Sequence, residues 1–447
     1  MKLKPYPEYK DSGVEWIGKI PDKWETQKMK NLIFFQEGPG LRNWQFKDEG
    51  IRVICVTNIT ENGINFSNYE KFISEEEYKH SYRHFTVEKG DLLLSSSGNS
   101  WGKVAEYLSD EKVILNTSTI RINENLFKKE VSKKFLKWAL QSDSVREQLG
   151  LMMTGSCQPN FGPSHLSEAI MCYPNLNEQI HIAYYLDKKT SQIDKTIQKD
   201  TRLIELLKEK RTAMINHAVT KGVDPDAKMK DSGVEWIGEI PEGWEVNKLK
   251  LSVSKIGSGI TPKGGASVYV EKGIALLRSQ NIHFEGLKID NVSYITEEIN
   301  KTMLNSVVKN HDVLLNITGA SIGRCTYFEN QVDKANVNQH VCIIRPKTIC
   351  YRFLNYILMS NIGQDQIFSV QMGSSREGLN FEQIGNFKIV YPPYDEQQKI
   401  TNYLDESISK IDETIQKIEK KIELLEEYKK SLIHHVVTGK VNVLKED

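Results

Sequence analysis

Long apolar runs are missing from this chain. No segment approaches the roughly 20 residues needed to cross a bilayer. The opening MKLKPYPEYK has no apolar stretch of the kind a secretory leader carries. A membrane protein is therefore not expected. A charge surplus is missing too, since 59 Lys plus Arg balance 59 Asp plus Glu. Nucleic-acid binders carry basic excess somewhere, so here it must be local or come from a partner. The six cysteines, Cys55, Cys157, Cys172, Cys325, Cys342 and Cys350, form no CxxC pair and no zinc spacing. Reduced, buried thiols are expected, and with them a cytoplasmic location.

Catalytic signatures are also absent. Gly257-x-Gly259 lacks the third glycine of a dinucleotide loop, because position 262 is Pro262. Gly259–Gly265 has the spacing of a phosphate loop, but Ala266 follows where Lys and Ser/Thr belong. His434 and His435 are adjacent and cannot share a metal in helical geometry. No Ser-His-Asp set can be argued from spacing. The YPPY at Tyr391–Tyr394 is similar to the (D/N/S)PP(Y/F) turn of adenine amino-methyltransferases, but Tyr391 offers no amide or carboxylate oxygen to the target amine. The other copy reads Tyr173-Pro174-Asn175-Leu176, and no FxGxG-type loop for a methyl donor is present. A structural turn ending a strand is the expectation, with no cofactor and no metal in this chain.

What is present is duplication. EYKDSGVEWIGKIPDKWE at 8–25 returns as KMKDSGVEWIGEIPEGWE at 228–245. The period of about 220 residues is too long for a solenoid and implies two copies of a whole module. Gly, Pro and Trp punctuate this leader, so an ordered extended arm is expected, anchored by burial of Trp16, Trp24, Trp236 and Trp244. In the module bodies, Ile51–Val56 and Asp91–Leu94 read as strands, as do Ala275–Arg278 and Asp312–Leu315. Helix patterns follow at Lys133–Leu149 and Tyr351–Ile367. This mixture implies an α/β module, with α+β possible.

After each module a helix carries a stripe with a mean step of 3.5 residues, the seam of a coiled coil. In the first copy it runs Ile193, Ile197, Asp200, Ile204, Leu207, Arg211, Met214, Ala218, widened by Leu203 and Leu206. In the second it runs Ile411, Ile415, Ile418, Ile422, Leu425, Lys429, Leu432, Val436. The two are expected to pair antiparallel. Matching the stripe ends puts Asp200 opposite Lys429. Each stripe would extend about 39 Å at 1.5 Å per residue, close to one turn of B-DNA at roughly 34–36 Å.

Polar, glycine-bearing loops recur at matching places. SSSGNSWGK (Ser95–Lys103) corresponds to NITGASIGR (Asn316–Arg324). Backbone amides, short hydroxyls, amides and single cations are the groups that hold phosphates and read base edges. The candidate DNA-contacting residues are Thr57, Asn58, Ser97, Asn99, Lys103, Asn116 and Gln158 in the first copy. In the second they are Arg278, Gln280, Asn281, Thr318, Ser321, Arg324, Asn338, Gln339 and Arg376. Any one such loop can be a simple turn. Recurrence in both modules, with different residues in matching frames, suggests two readers of different sequences on one scaffold.

The DSGVEWIGxIPxxWE arms, the divergent modules, the GSxxx(N/G) loops and the (N/D)EQxxIxxYLD helix starts together resemble the specificity subunit of type I restriction–modification systems. The resemblance covers essentially the whole chain, repeats included. It implies an arm over 1–24, a target recognition domain over 25–176 and a central spacer helix over 177–221. A linker and repeated arm over 222–241, a second recognition domain over 242–394 and a C-terminal spacer helix over 395–447 would follow. It further implies double-stranded DNA as ligand, read as a bipartite site. Two methyltransferase subunits and restriction subunits would be the partners, and S-adenosylmethionine, ATP and Mg would be used by those partners only. The family has no fixed set of DNA-reading residues, so the loop residues above rest on their own chemistry. The rivals are a stand-alone DNA methyltransferase, which would need the missing cofactor loop, and a coiled-coil structural protein, which would leave both modules unexplained.

Overall fold

The computed structural model describes residues 4–61, 63–67, 69–153, 160–370 and 378–444. The chain divides into two compact units, Met1–Asp200 with Lys420–Asp447, and Thr201–Glu419. Each unit therefore holds one module plus part of each long helix, which the linear repeat did not suggest.

In the first unit a four-stranded antiparallel sheet runs in the order Val104–Glu106, Leu92–Ser95, Thr119–Ile122, Phe35–Glu37. A second sheet pairs Ile51–Ile54 in parallel with Val113–Leu115, flanked by the short strands Phe72–Ile73 and Thr86–Val87. The continuous apolar run Leu92-Leu93-Leu94 is explained by burial on both faces. Leu92 and Leu94 pack with Phe135 and Leu136, while Leu93 packs with Ile54 and Leu115. The second unit repeats this plan. Val313–Asn316 lies in an antiparallel four-stranded sheet, and Ile274–Leu277 pairs in parallel with Ala335–Val337. One parallel pair among antiparallel strands makes each module α+β, the second of the two expected classes.

The single helices expected over Lys133–Leu149 and Tyr351–Ile367 are each two. They break at Ser142 and Ser360, which are buried and extended. Each hydroxyl donates to a carbonyl three residues back, Ala139 and Ile357, both at 2.6 Å. That bond gives the chain an alternative to the helical ladder.

The long helices α1 (Leu176–Lys221, 46 residues) and α2 (Tyr394–Val437, 44 residues) begin well before their stripes. Their starts are fixed by the repeated motif. Gln179 is buried, donates to Pro174 O and accepts from Ser132 N, each at 2.8 Å. Gln397 does the same with Pro392 O and Cys350 N. The motif's aspartates also dock on the modules, Asp187 accepting from Trp138 Nε1 and Asp405 from Tyr356 OH. Among the described residues no helix is long and apolar enough to cross a membrane.

The seam is where the stripes predict it. Ile193, Ile204, Ile411, Ile415 and Leu432 are buried, and Ile197, Leu207, Met214, Ile418, Ile422 and Leu425 are half-buried. Leu203 and Leu206 do not widen it; both face outward. The pairing is antiparallel within each unit, but its offset differs from stripe-end matching. Lys429 meets Asp194 at 2.6 Å, and Asp200 makes an ion-pair contact with Lys421 at 2.8 Å. In the second unit Arg211 meets Asp412 at 3.1 Å. The offset follows from docking of the helix ends in the cores. Leu432, Ile433, Val436 and Val437 belong to the first unit's core, and Ile215, Ala218 and Val219 to the second's.

The arms are two-stranded hairpins, Tyr9–Asp11 with Lys19–Pro21 and Met229–Asp231 with Glu239–Pro241. Trp24 and Trp244 are buried as expected, whereas Trp16 and Trp236 are not. In the first unit the tail after α2 grips the arm. Tyr9 OH donates to Lys440 O, Lys440 Nζ donates to Ile17 O, and Asn442 N donates to Lys4 O. Near this junction His434 sits half-buried with Nδ1 unpartnered among the described residues. Burial, then the neighbouring His435, hold its pKa below the usual histidine value. The unfolded chain therefore binds this proton first, so stability falls as pH drops below about 6.5. In His434→Gln the loss of melting temperature between pH 7.5 and pH 5 should be smaller than in the wild type. An unchanged difference would show that His434 takes up its proton as readily in the folded chain as in the unfolded one.

Candidate nucleic-acid interface

The parallel strand pair brings three loops to one edge in each unit. Val56–Asn58 follows Ile51–Ile54, and Asn116–Ser118 follows Val113–Leu115. Their adjacency is locked by Asn116 N donating to Ile54 O at 3.0 Å. The third loop, after Leu92–Ser95, joins them through Ser96 N to Ser118 O at 2.9 Å. Phe161 N then donates to Ser96 O, bringing the chain just after the GSCQPN stretch at 155–160 to the same place. Gln158 and Arg376 themselves lie outside the described residues.

The second unit builds the same edge from different residues. Asn338 N donates to Leu277 O, Ile317 N to His340 O, and Leu379 N to Ile317 O. Asn316 is fully buried at the base of its loop. Its Nδ2 donates to Ser279 O at 2.8 Å and Ser321 Oγ at 3.1 Å, leaving Oδ1 unpartnered among the described residues. Both loops turn on glycines with positive φ at matching places, Gly98 (63°) and Gly102 (76°) against Gly319 (73°) and Gly323 (87°). A side chain is strained in that region, so the frame is held by glycine while the tips vary.

The tips present polar groups. Thr57, Asn99, Gln280 and Gln339 are exposed, and Ser97, Lys103, Asn116, Arg278, Thr318, Ser321 and Arg324 are half-buried. Lys103 and Arg324 pair with no carboxylate among the described residues, and Arg278 lies over the Tyr269 ring at 5.6 Å. Such unspent cations suit phosphate contact. Thr318 Oγ1 and His340 Nδ1 are 2.5 Å apart, His340 Nε2 lies 2.9 Å from Gln339 Nε2, and Thr261 Oγ1 donates to Gln339 Oε1. If Gln339 donates to Nε2, the imidazole proton sits on Nδ1 and points at Thr318. Thr261 was missed by sequence reasoning. It comes from another strand's end, and only the fold places it beside Gln339.

Three candidates are corrected. Asn58 is buried, accepting from Cys55 N and donating to Asn65 O and Tyr69 O. Asn281 is its twin, accepting from Arg278 N and donating to Lys288 O. Asn338 is buried as well, its Oδ1 accepting from His340 N. These amides hold turns together. An asparagine that braces a turn and one that reads a base look alike in sequence.

The model of the type I restriction modification DNA specificity domain matches twice, over residues 21–206 and 241–424. The chain belongs to the type I restriction–modification specificity family. Within the family it is similar to the MjaVIII specificity subunit of Methanocaldococcus jannaschii, with 26% identity over 95% of this chain and 94% of that one. It is also similar to the EcoBI specificity subunit of Escherichia coli, with 23% identity over 89% of this chain and 81% of that one. A chain solved in work on complex assembly and conformational transition of the type I R-M system shares the fold at a TM-score of 0.68, with 14% identity, covering 94% of this chain and 99% of that one. The HsdS subunit from Thermoanaerobacter tengcongensis gives 0.51 at 15% identity, covering 94% and 98%. The two matched segments cover both loop edges.

Proposed function

We propose that this chain reads DNA for a type I restriction–modification complex and performs no chemistry itself. Each module reads one half of a bipartite double-stranded target. Two methyltransferase subunits, using S-adenosylmethionine, and restriction subunits, using ATP and Mg, bind the chain and act on that target in the cytoplasm. One observation carries this reading. Two edges share one glycine-held frame and differ in the side chains at their tips. Different tips on the same frame are what two different half-sites require, because frame contacts position and side chains specify.

The zero formal net charge argues that the chain alone holds DNA weakly. Mixed with its cognate methyltransferase subunit, S-adenosylmethionine and duplex DNA, it should direct N6-adenine methylation to one bipartite sequence. Alone it should transfer no methyl group. Methyl transfer by the purified chain, or methylation without sequence preference in the mixture, would overturn the reading.

A further inference from the structure

The longest identical stretch between the repeats quoted above is not in the DNA-facing loops. It is Lys10–Gly18, returning as Lys230–Gly238; the two lysines are exposed strand residues, and the octad that follows each forms the tip of an arm hairpin. Six of the octad's eight positions have an internal reason to repeat. Asp11 Oδ1 accepts from Gly13 N, and Asp231 Oδ1 from Gly233 N, each at 2.9 Å. Ser12 and Ser232 bond Val14 and Val234 through their hydroxyls. Gly13, Gly18, Gly233 and Gly238 all have φ between 65° and 73°. Val14, Ile17, Val234 and Ile237 are buried in their units' cores.

The remaining two positions are Glu15-Trp16 and Glu235-Trp236. They fill the middle of the turn closed by Ile17 N to Val14 O at 3.1 Å and Ile237 N to Val234 O at 3.0 Å. Both glutamates are exposed, and Trp16 and Trp236 are 36% and 55% exposed. Among the described residues neither glutamate makes a hydrogen bond or ion pair, and neither indole N–H has a partner. The surroundings do not explain the repeat either. Lys388 lies over the Trp236 ring at 5.6 Å, while the matching strand of the first unit begins with Ile170. The second tryptophan of each arm is different. Trp24 and Trp244 are buried, so packing accounts for them.

Reading different half-sites selects for different residues, and among the described residues no hydrogen bond or ion pair fixes this pair in either arm. An identical outward pair on both arms is what a contact made twice by the same surface requires. We infer that Glu15-Trp16 and Glu235-Trp236 are two equivalent docking knobs, each bound by one copy of the same protein partner. The inference rests on the reading above, which makes that partner the methyltransferase subunit. The knob defines the partner's site as an apolar cleft for the indole, with an acceptor for Nε1 and a cation for the carboxylate. An indole on a rigid turn gives large contact area at little entropic cost, which is why tryptophan dominates binding hot spots.

The test uses the full chain with its cognate methyltransferase subunit, measuring stoichiometry by native mass spectrometry and affinity by calorimetry. Wild type should bind two copies. Trp16→Ala or Trp236→Ala should leave one tight site and weaken the other by about 30-fold or more, the hot-spot range. The double variant should lose both. Glu15→Lys with Glu235→Lys should also weaken both sites with the melting curve unchanged. That variant decides the matter if the alanines lower stability. Two unaltered sites in all variants would sink the knobs and leave the functional reading standing. No binding by wild type would sink both. A self-associated chain that the alanines dissociate would mean the knobs meet a second copy of this chain, which also overturns the inference.

Discussion

Grafting the first unit's loop tip onto the second should rewrite one half of the DNA target and leave the other half unchanged. The graft replaces residues 317–324, ITGASIGR, with SSGNSWGK and keeps Asn316. The backbones are compatible, since both loops carry a short 3-10 turn, Gly98–Ser100 and Gly319–Ser321, between glycines of like φ. Asn316 must stay because its amide ties the loop to Ser279, whereas the matching Ser95 of the first unit bonds Ser100 Oγ within its own loop at 2.9 Å. Among the candidate contact residues Thr318 and Arg324 are lost, position 321 stays serine, and Asn99 and Lys103 are among the side chains gained. Each mismatched base pair costs about 1–3 kcal/mol. A tip that reads two pairs should thus lower preference for the old half-site by about 30-fold to 10⁴-fold. Sequencing of methylated sites in cells carrying the graft and its methyltransferase measures this. A change in both halves would show that the modules do not read independently.

The second large effect is on stability. Asp312→Ala should cost about 3–5 kcal/mol, the range for removing one partner of a buried ion pair. Asp312 is fully buried and accepts from Arg345 Nε at 2.7 Å, Arg345 Nη2 at 2.8 Å and Lys309 N at 2.7 Å. The guanidinium pKa is raised chiefly by that hydrogen bond. Without the carboxylate the charge stays in the sheet with only Val307 O for company. Asp91 holds the matching position in the first unit but faces Arg121 at 3.8 Å, and burial pushes its carboxyl above the usual range. Asp91→Ala should therefore cost less, about 1–3 kcal/mol for the lost bond to Glu88 N. Hydrogen exchange of each variant distinguishes the two. Equal losses of protection in Leu92–Ser95 and Val313–Asn316 would contradict the difference in pairing.

Both predictions depend on features only half visible in sequence. The Asp-led runs and the glycine-framed loops were legible, because a leucine run and a glycine at a forced turn leave local signatures. The partners were not. Arg345 reaches Asp312 from a strand over 30 residues away, and Thr261 reaches Gln339 from farther still. Sequence reasoning also gave Ser142 and Ser360 no weight, since a serine breaks a helix only when burial denies its hydroxyl water.

By itself the sequence determined the duplication, the two long seamed helices, the matching of loop to loop and the family. Each of these is written as a period or a repeated string, and such patterns survive without coordinates. Only the tertiary structure decided which residues of a pattern face out. It buried Asn58, Asn281 and Asn338, brought Trp16 and Trp236 to the surface, and moved Lys429 from Asp200 to Asp194. The physical reason is common to all three. Burial and register are set by where distant segments dock, as when Gln179 and Gln397 pin the helix starts to their modules. No local pattern records that docking.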